Sequence, residues 1–300
     1  MSNRIVYIDV LRVFAIVLII TFHFLFEVTS SDFLRPIGFV GVSLFFIISG
    51  FLLGKKYPKM NKFSLKWFSK RYLSIAILYL AALLAIVFLF GEQTYAGDLY
   101  RNIAVHLTFL DPFFSPKVGY SIISSVWFLV PLVYLYFFFP YLNRFVRKDA
   151  RLLLIPFVVM VIVRIFSGAW TFTSLNPLFF IGEFCFGIAV ANNNRTVGML
   201  ISFLTLLVNP IMFIPFVVFY AFSFYNFKAI GSTRIIGLVS SSTLILFFFH
   251  EAFIKLILGK WQIYSMGVFG DLAIFLITIS AAVYVSNRIK NYVMTSRFLQ

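Results

Sequence analysis

Apolar residues fill this chain in long blocks, and short polar stretches divide the blocks. Ten apolar segments stand at about 5–26, 37–54, 72–90, 121–142, 152–167, 175–192, 197–208, 210–226, 235–258 and 267–287. Most approach the roughly 20 residues that carry a helix across about 30 Å of hydrocarbon. A segment in lipid must satisfy its own backbone polar groups, which selects helices. The pattern predicts an all-α fold, a polytopic transmembrane bundle of about ten helices. Segment two carries Gly38, Gly41 and Gly50, which suit close packing or a helix break. Segment seven is short and Pro210 follows it at once. Segments seven and eight therefore read either as a tight hairpin or as one long kinked helix. The choice matters, because losing one crossing would reverse every later segment.

Composition supports the membrane reading. The 300 residues are 62% hydrophobic and 12% charged, and 42 of them are Phe. The mean hydropathy of +1.00 exceeds what a soluble domain of this length can hide. The first apolar run is long and lacks a small-residue cleavage site, so it reads as a permanent helix rather than a signal peptide. The single Cys185 excludes an internal disulfide and a cysteine-based metal cluster. No linker, repeat or low-complexity tract divides the chain, which predicts one membrane-embedded domain over 1–300. The stretch 91–120, with His106, Asp111, Pro112 and Pro116, is too small for a soluble domain but large enough to cap a site. His106 reads as a solvated residue.

Charge orients the bundle. With ten crossings and a cytoplasmic N-terminus, the inside loops hold Lys55, Lys56, Lys59, Lys62, Lys66, Lys70 and Arg71, then Arg144, Arg147, Lys148 and Arg151. Arg195, Lys228, Arg234, Arg288, Lys290 and Arg297 fall on the same side. Scattered cations remain outside: Arg35, Arg101, Lys117, Lys255 and Lys260. This bias follows the positive-inside rule and predicts both termini in the cytoplasm. The net charge of +15 then reflects topology and attraction to anionic lipid headgroups. No nucleic-acid partner is needed.

Ionisable groups at membrane depth mark function by default. Arg12 and His23 lie on segment one with ten residues between them. Eleven helical steps make three turns plus about 20°, so both share one face, roughly 16 Å apart along the axis. Asp9, three residues before Arg12, lies on the same side. Glu27, four residues after His23, is placed to orient the imidazole. His250 is a second candidate, suited to bonding a donor carbonyl, an oxyanion or substrate. Glu251 points about 100° away from it. Ser49, Trp127 and Tyr134 are candidates to line a cavity, and Trp127 equally suits an interface anchor. Arg164 and Glu183, on adjacent antiparallel segments, read as a structural ion pair.

The runs IDVLRVFAIVLIITFH, GVSLFFIISGFLL, FSKR, VWFLVPLVYLYFFFP and LFFFHEAF occur in this order. Together they resemble the acyltransferase 3 family of integral membrane acyltransferases over most of the chain. Arg12 and His23 match the first-helix Arg, ten residues, His, and Asp9 matches the Asp before it. Gly41, Val42, Phe45, Phe46, Ser49, Gly50 and Phe51 match the second-helix pattern, and His250 the ninth-helix His. The chain departs from many members at two places. Trp127-Phe128-Leu129 is followed by Leu132 where they carry Glu. After Lys70-Arg71, Ser74 replaces the second Arg and the closing Pro is missing. This aligns the chain with the shorter branch of the family, without an appended soluble domain.

The resemblance implies acyl transfer, most often of acetyl, from cytoplasmic acyl-CoA to a hydroxyl of an extracytoplasmic or lipid-linked glycan, at the plasma membrane and without a metal. Coenzyme A is a cytoplasmic polyanion, and Arg12, Lys70 and Arg71 lie on that side, where Arg holds phosphate in a bidentate way. His23 then serves either as general base on the acceptor hydroxyl or as a transient acyl carrier. The alternative function is a transporter of a lipid-linked sugar or small anion. The absence of an internal repeat weighs against it.

Overall fold

The computed structural model describes residues 5–90, 127–167, 176–225 and 234–258, together with Ala104 and Thr108. Segment ten, His106 and the 91–120 loop other than Ala104 and Thr108, Lys228 and the C-terminal cations lie outside the described residues, as do the side chains of Lys255 and Lys260. Nine α-helices form among the described residues. These are α1 (Val6–Thr29), α2 (Arg35–Lys56), α3 (Leu65–Phe90), α4 (Leu129–Lys148), α5 (Leu154–Ser167), α6 (Ile181–Ala191), α7 (Arg195–Val208), α8 (Pro210–Phe224) and α9 (Arg234–Leu258). Five helical stretches there have the length and hydropathy to cross a membrane: Val6–Thr29, Asp32–Lys56, Leu65–Leu84, Leu129–Lys148 and Ala150–Ser167. The protein is a polytopic helical membrane protein.

The glycines of segment two pack closely and do not break the helix. Gly41 sits on the Ala15 carbonyl and the Ile19 side chain, and Gly38 on Phe22. On its other flank α2 meets α6 backbone to backbone. Gly50 lies against the Phe184 carbonyl, and Gly187 against the Ile47 carbonyl and the Phe51 amide. Small residues let membrane helices approach this closely, where dispersion contacts replace the hydrophobic drive that lipid removes.

The contacts also fix helix directions. Pairing of Gly38 with Phe22 and of Tyr7 with Phe51 makes α1 and α2 antiparallel. Gly50 against Phe184 and Gly54 against Ile188 make α2 and α6 parallel. Asp9 with Ser240 and His23 with His250 make α1 and α9 parallel. These relations follow from reversing direction at every segment, as the sequence predicts. One end of the bundle thus gathers the 55–71 stretch, the end of α4 and the start of α7, with their cations.

Segments seven and eight are a hairpin. Phe203 and Phe213 stack with centroids 4.8 Å apart, whereas ten residues of one helix would separate them by about 15 Å. Asn209 makes the turn in an extended conformation, and its side chain accepts from the Ile211 amide to cap α8. A hairpin returns to the side it left, so α9 keeps its orientation.

Helix α3 begins earlier than the apolar pattern predicts. Ser64 accepts from the Trp67 amide at 3.3 Å, so Lys66, Lys70 and Arg71 are helical rather than in a loop. Lysine and arginine are good helix formers, and Trp67 and Phe68 give this stretch a buried side.

Gly50→Ala is expected to destabilise the protein by roughly 1–3 kcal/mol or more, because backbone rather than a side chain must yield. Gly198→Ala, which meets only the Phe186 ring and a Leu153 methyl, should cost less. Thermal unfolding followed by size-exclusion chromatography in detergent compares the two.

Candidate active site

Helix α1 has 24 residues and begins at Val6. Arg12 therefore stands about 9 Å from its first residue and His23 about 25 Å, which puts the imidazole in the far half of the span. Both side chains are half-buried. Asp9 accepts a 2.5 Å hydrogen bond from Ser240 Oγ on α9. Asp9 stands one helical turn before Arg12 on the same helix.

The two histidines meet. The His23 and His250 rings lie with centroids 4.8 Å apart, inclined at 62°. Phe22 packs on His23 from its own helix at 4.8 Å, and Phe247 lies 5.5 Å from His250. His250 is 1% exposed. Its Nδ1 lies 2.8 Å from the Phe247 carbonyl. A carbonyl only accepts, so Nδ1 carries a proton, and in the neutral form of the ring Nε2 presents a lone pair. That Nε2 is buried and has no hydrogen-bond partner among the described residues. Neutral His250 is thus an acceptor. The expected bond from it to a carbonyl or oxyanion requires the imidazolium.

Glu27 is exposed, about 40° round the helix from His23, and His23 meets a ring from another helix in His250. Trp127 is buried against Phe180, with centroids 5.9 Å apart, and is not an interface anchor. Phe128 beside it bridges Phe46 and Phe247 at 6.1 and 4.2 Å, so this aromatic layer supports His250 from behind. Ser49 and Tyr134 are half-buried on α2 and α4.

At the basic end Lys70 is exposed, while Arg71 is half-buried. Arg71 Nη2 donates to the Tyr57 hydroxyl at 3.2 Å and lies over that ring at 5.5 Å. Burial alone would raise the Tyr57 phenol. The Arg71 hydrogen bond and the charges of Arg71 and Lys56 more than offset this and hold it below its ordinary pKa.

The sequence profile of the acyltransferase 3 family, an acyltransferase domain, matches residues 5–287. The chain belongs to the acyltransferase 3 family. No curated protein and no solved structure matches it. This membrane acyltransferase carries His23 and His250 in contact, Arg12 on the same face of α1 as His23, and Arg71 at the basic end. Among its described residues no group of three or more His, Cys, Asp or Glu side chains is placed to hold a metal ion.

The acyltransferase also contains the ion pair read from segments five and six. Arg164 and Glu183 are both fully buried and bonded to each other. Arg164 donates twice to the Phe179 carbonyl, at 3.0 and 2.7 Å, and lies over the Phe179 and Phe39 rings. Ser43 Oγ donates to Glu183 at 3.4 Å. The pair joins α5, α6 and α2 at the end opposite the basic loops.

Sequence reasoning missed the contact between the two histidines, and it missed Asn143. This 1% exposed amide on α4 donates to the Tyr57, Pro58 and Met60 carbonyls at 3.3, 3.3 and 2.9 Å. A lone Asn in the run LYFFFPYLNRF was the available signal.

Arg164→Ala leaves a buried carboxylate alone and is expected to cost about 3–5 kcal/mol of stability. Arg164→Met combined with Glu183→Leu should recover most of that loss. Thermal unfolding of the single and double variants checks both.

Proposed function

We propose that this enzyme moves an acyl group, acetyl in the first instance, from acyl-CoA to a hydroxyl of a glycan or lipid-linked sugar. The donor is offered at the basic end, the cytoplasmic side by the positive-inside rule, and the acceptor on the far side of the plasma membrane. The observation that carries this reading is the contact between His23 and His250, about 16 Å along α1 from Arg12.

The chemistry needs an acceptor for the hydroxyl proton. An imidazole takes that proton as the hydroxyl oxygen attacks the thioester carbonyl carbon. The tetrahedral intermediate then collapses with cleavage of the carbon–sulfur bond. The thiolate leaves and takes up a proton, and the ester remains on the acceptor. His23 is half-buried and so open to a substrate, which makes it the base on the hydroxyl. His250, with Nδ1–H committed to Phe247 and Nε2 unprotonated, is placed to accept from His23 or from the substrate. Two adjacent imidazoles repel one another when both are charged, so no more than one of the two is an imidazolium at a time. Arg12 supplies a fixed cation on the donor side, with Lys70 and Arg71 at the surface beyond it.

The test is transfer of label from acetyl-CoA to candidate glycan and lipid-linked acceptors by the protein in nanodiscs. His23→Ala should lower the rate about 100- to 10,000-fold while the protein stays folded. Adding His250→Ala should cost little more, because residues that act as a unit are not additive. A His23→Ala enzyme as active as wild type removes the assignment. The alternative, a transporter, predicts flux into liposomes without turnover of CoA. Arg12→Ala should raise the acyl-CoA concentration needed for half-maximal rate more than that of the acceptor, which steady-state kinetics with each substrate varied will measure.

A further inference from the structure

We propose that Tyr57 and Asn143 are positioning residues that preset Arg71 for the phosphates of the acyl donor. This rests on the reading of the basic end as the place where acyl-CoA binds.

The basic stretch is a built structure. Helix α2 ends at Lys56, and the Tyr57 amide closes it on the Leu53 carbonyl at 2.8 Å. The chain then turns, with the Met60 amide on the Tyr57 carbonyl at 3.1 Å. Three carbonyls of this turn point at one side chain, the Nδ2 of Asn143. A side-chain donor of this kind satisfies the backbone acceptors that a turn leaves outside helix hydrogen bonding. Asn143 comes from α4, so the turn is pinned to a different helix from the two it connects. Its side chain is buried, whereas those of Arg144 and Arg147 are exposed.

The pinned turn fixes the Tyr57 ring, which meets the Trp67 ring edge-on at 5.7 Å. Trp67 in turn stacks on Phe139 of α4 at 5.6 Å. The phenol oxygen then holds Arg71 Nη2. One guanidinium edge is committed to Tyr57, and the planar fork is oriented before any anion arrives. An arginine held this way loses little rotamer freedom on binding phosphate, whereas the neighbouring exposed Lys70 must lose most of its own. Lys56 Nζ lies over the Tyr57 ring at 5.6 Å and adds a second cation to the same patch. The preorganised cation is thus Arg71, and its geometry is inherited from Asn143 through Tyr57.

Equilibrium binding to the protein in nanodiscs tests this, with coenzyme A and its phosphate-free fragment pantetheine as the two probes. Tyr57→Phe keeps the ring and removes the oxygen. It should weaken coenzyme A binding by about tenfold, the size of one charge-assisted hydrogen bond, and leave pantetheine binding unchanged. Asn143→Asp, which cannot donate, should act in the same direction. In an Arg71→Ala background, Tyr57→Phe should have no further effect, and Lys70→Ala alone should cost less than Arg71→Ala. If Tyr57→Phe binds coenzyme A like wild type, or weakens it equally with Arg71 absent, the positioning role is overturned while the donor site stands. Equal loss of both probes in Tyr57→Phe also overturns it, since that is a general structural effect. Folded wild-type protein that does not bind coenzyme A overturns the donor site and this proposal together.

Discussion

The approach of α2 to α6 sets the geometry of the whole bundle. Gly50 and Gly187 each remove a side chain at the point of contact, and each faces a carbonyl of the other helix. Lipid gives helices no hydrophobic reason to associate, so this depth of contact is what holds the pair. Helix α1 lies on the opposite flank of α2, against Gly38 and Gly41. The same helix therefore presents small residues to two neighbours, and the register of α1 follows from it. Ser43 on α2 reaches Glu183, which ties the Arg164 cluster to the same element. Once α2 is placed, the depths of Arg12, His23 and the buried ion pair are all determined.

The second constraint is the parallel run of α9 along α1. Asp9 takes the Ser240 hydroxyl near one end, and His23 meets His250 near the other. The two contacts lie 14 residues apart on α1 and 10 apart on α9 (positions 9 and 23, 240 and 250), so the two helices are held together at two separate depths. Phe247 serves this arrangement twice. Its carbonyl selects the His250 tautomer, and its ring rests on Phe128. The polar chemistry of the site is thus set by backbone and aromatic packing more than by charged neighbours.

What the sequence could disclose follows from what physics enforces locally. Spans are legible because hydrocarbon thickness demands a run of apolar residues, and their alternating directions are legible because every crossing reverses the chain. The partnership of Arg164 with Glu183 was readable because a charge at that depth must find its opposite, and the neighbouring segment holds one. The meeting of His23 with His250 was not readable, since the elements are distant in the chain and no local rule fixes their register. Glu27 shows the same gap on a smaller scale. Helical spacing says which residues share a face, but not where the protein stops covering it. The early start of α3 was hidden because lysines lower hydropathy without opposing helix formation. Asn143 was visible as an anomaly among phenylalanines, yet its partners are carbonyls, which carry no sequence signature.

The α7–α8 hairpin has a consequence for how such a chain can change over time. Its two limbs have 14 and 15 residues, about 21 and 22 Å, less than a full bilayer core. Because it enters and leaves by the same face, its length does not set the direction of α9. Residues can be gained or lost in matched pairs across the Asn209 turn, and α9 still arrives from the basic end with His250 carried to the far side. The hairpin is therefore a place where the enzyme can remodel its interior while the polarity of its chemistry is inherited intact.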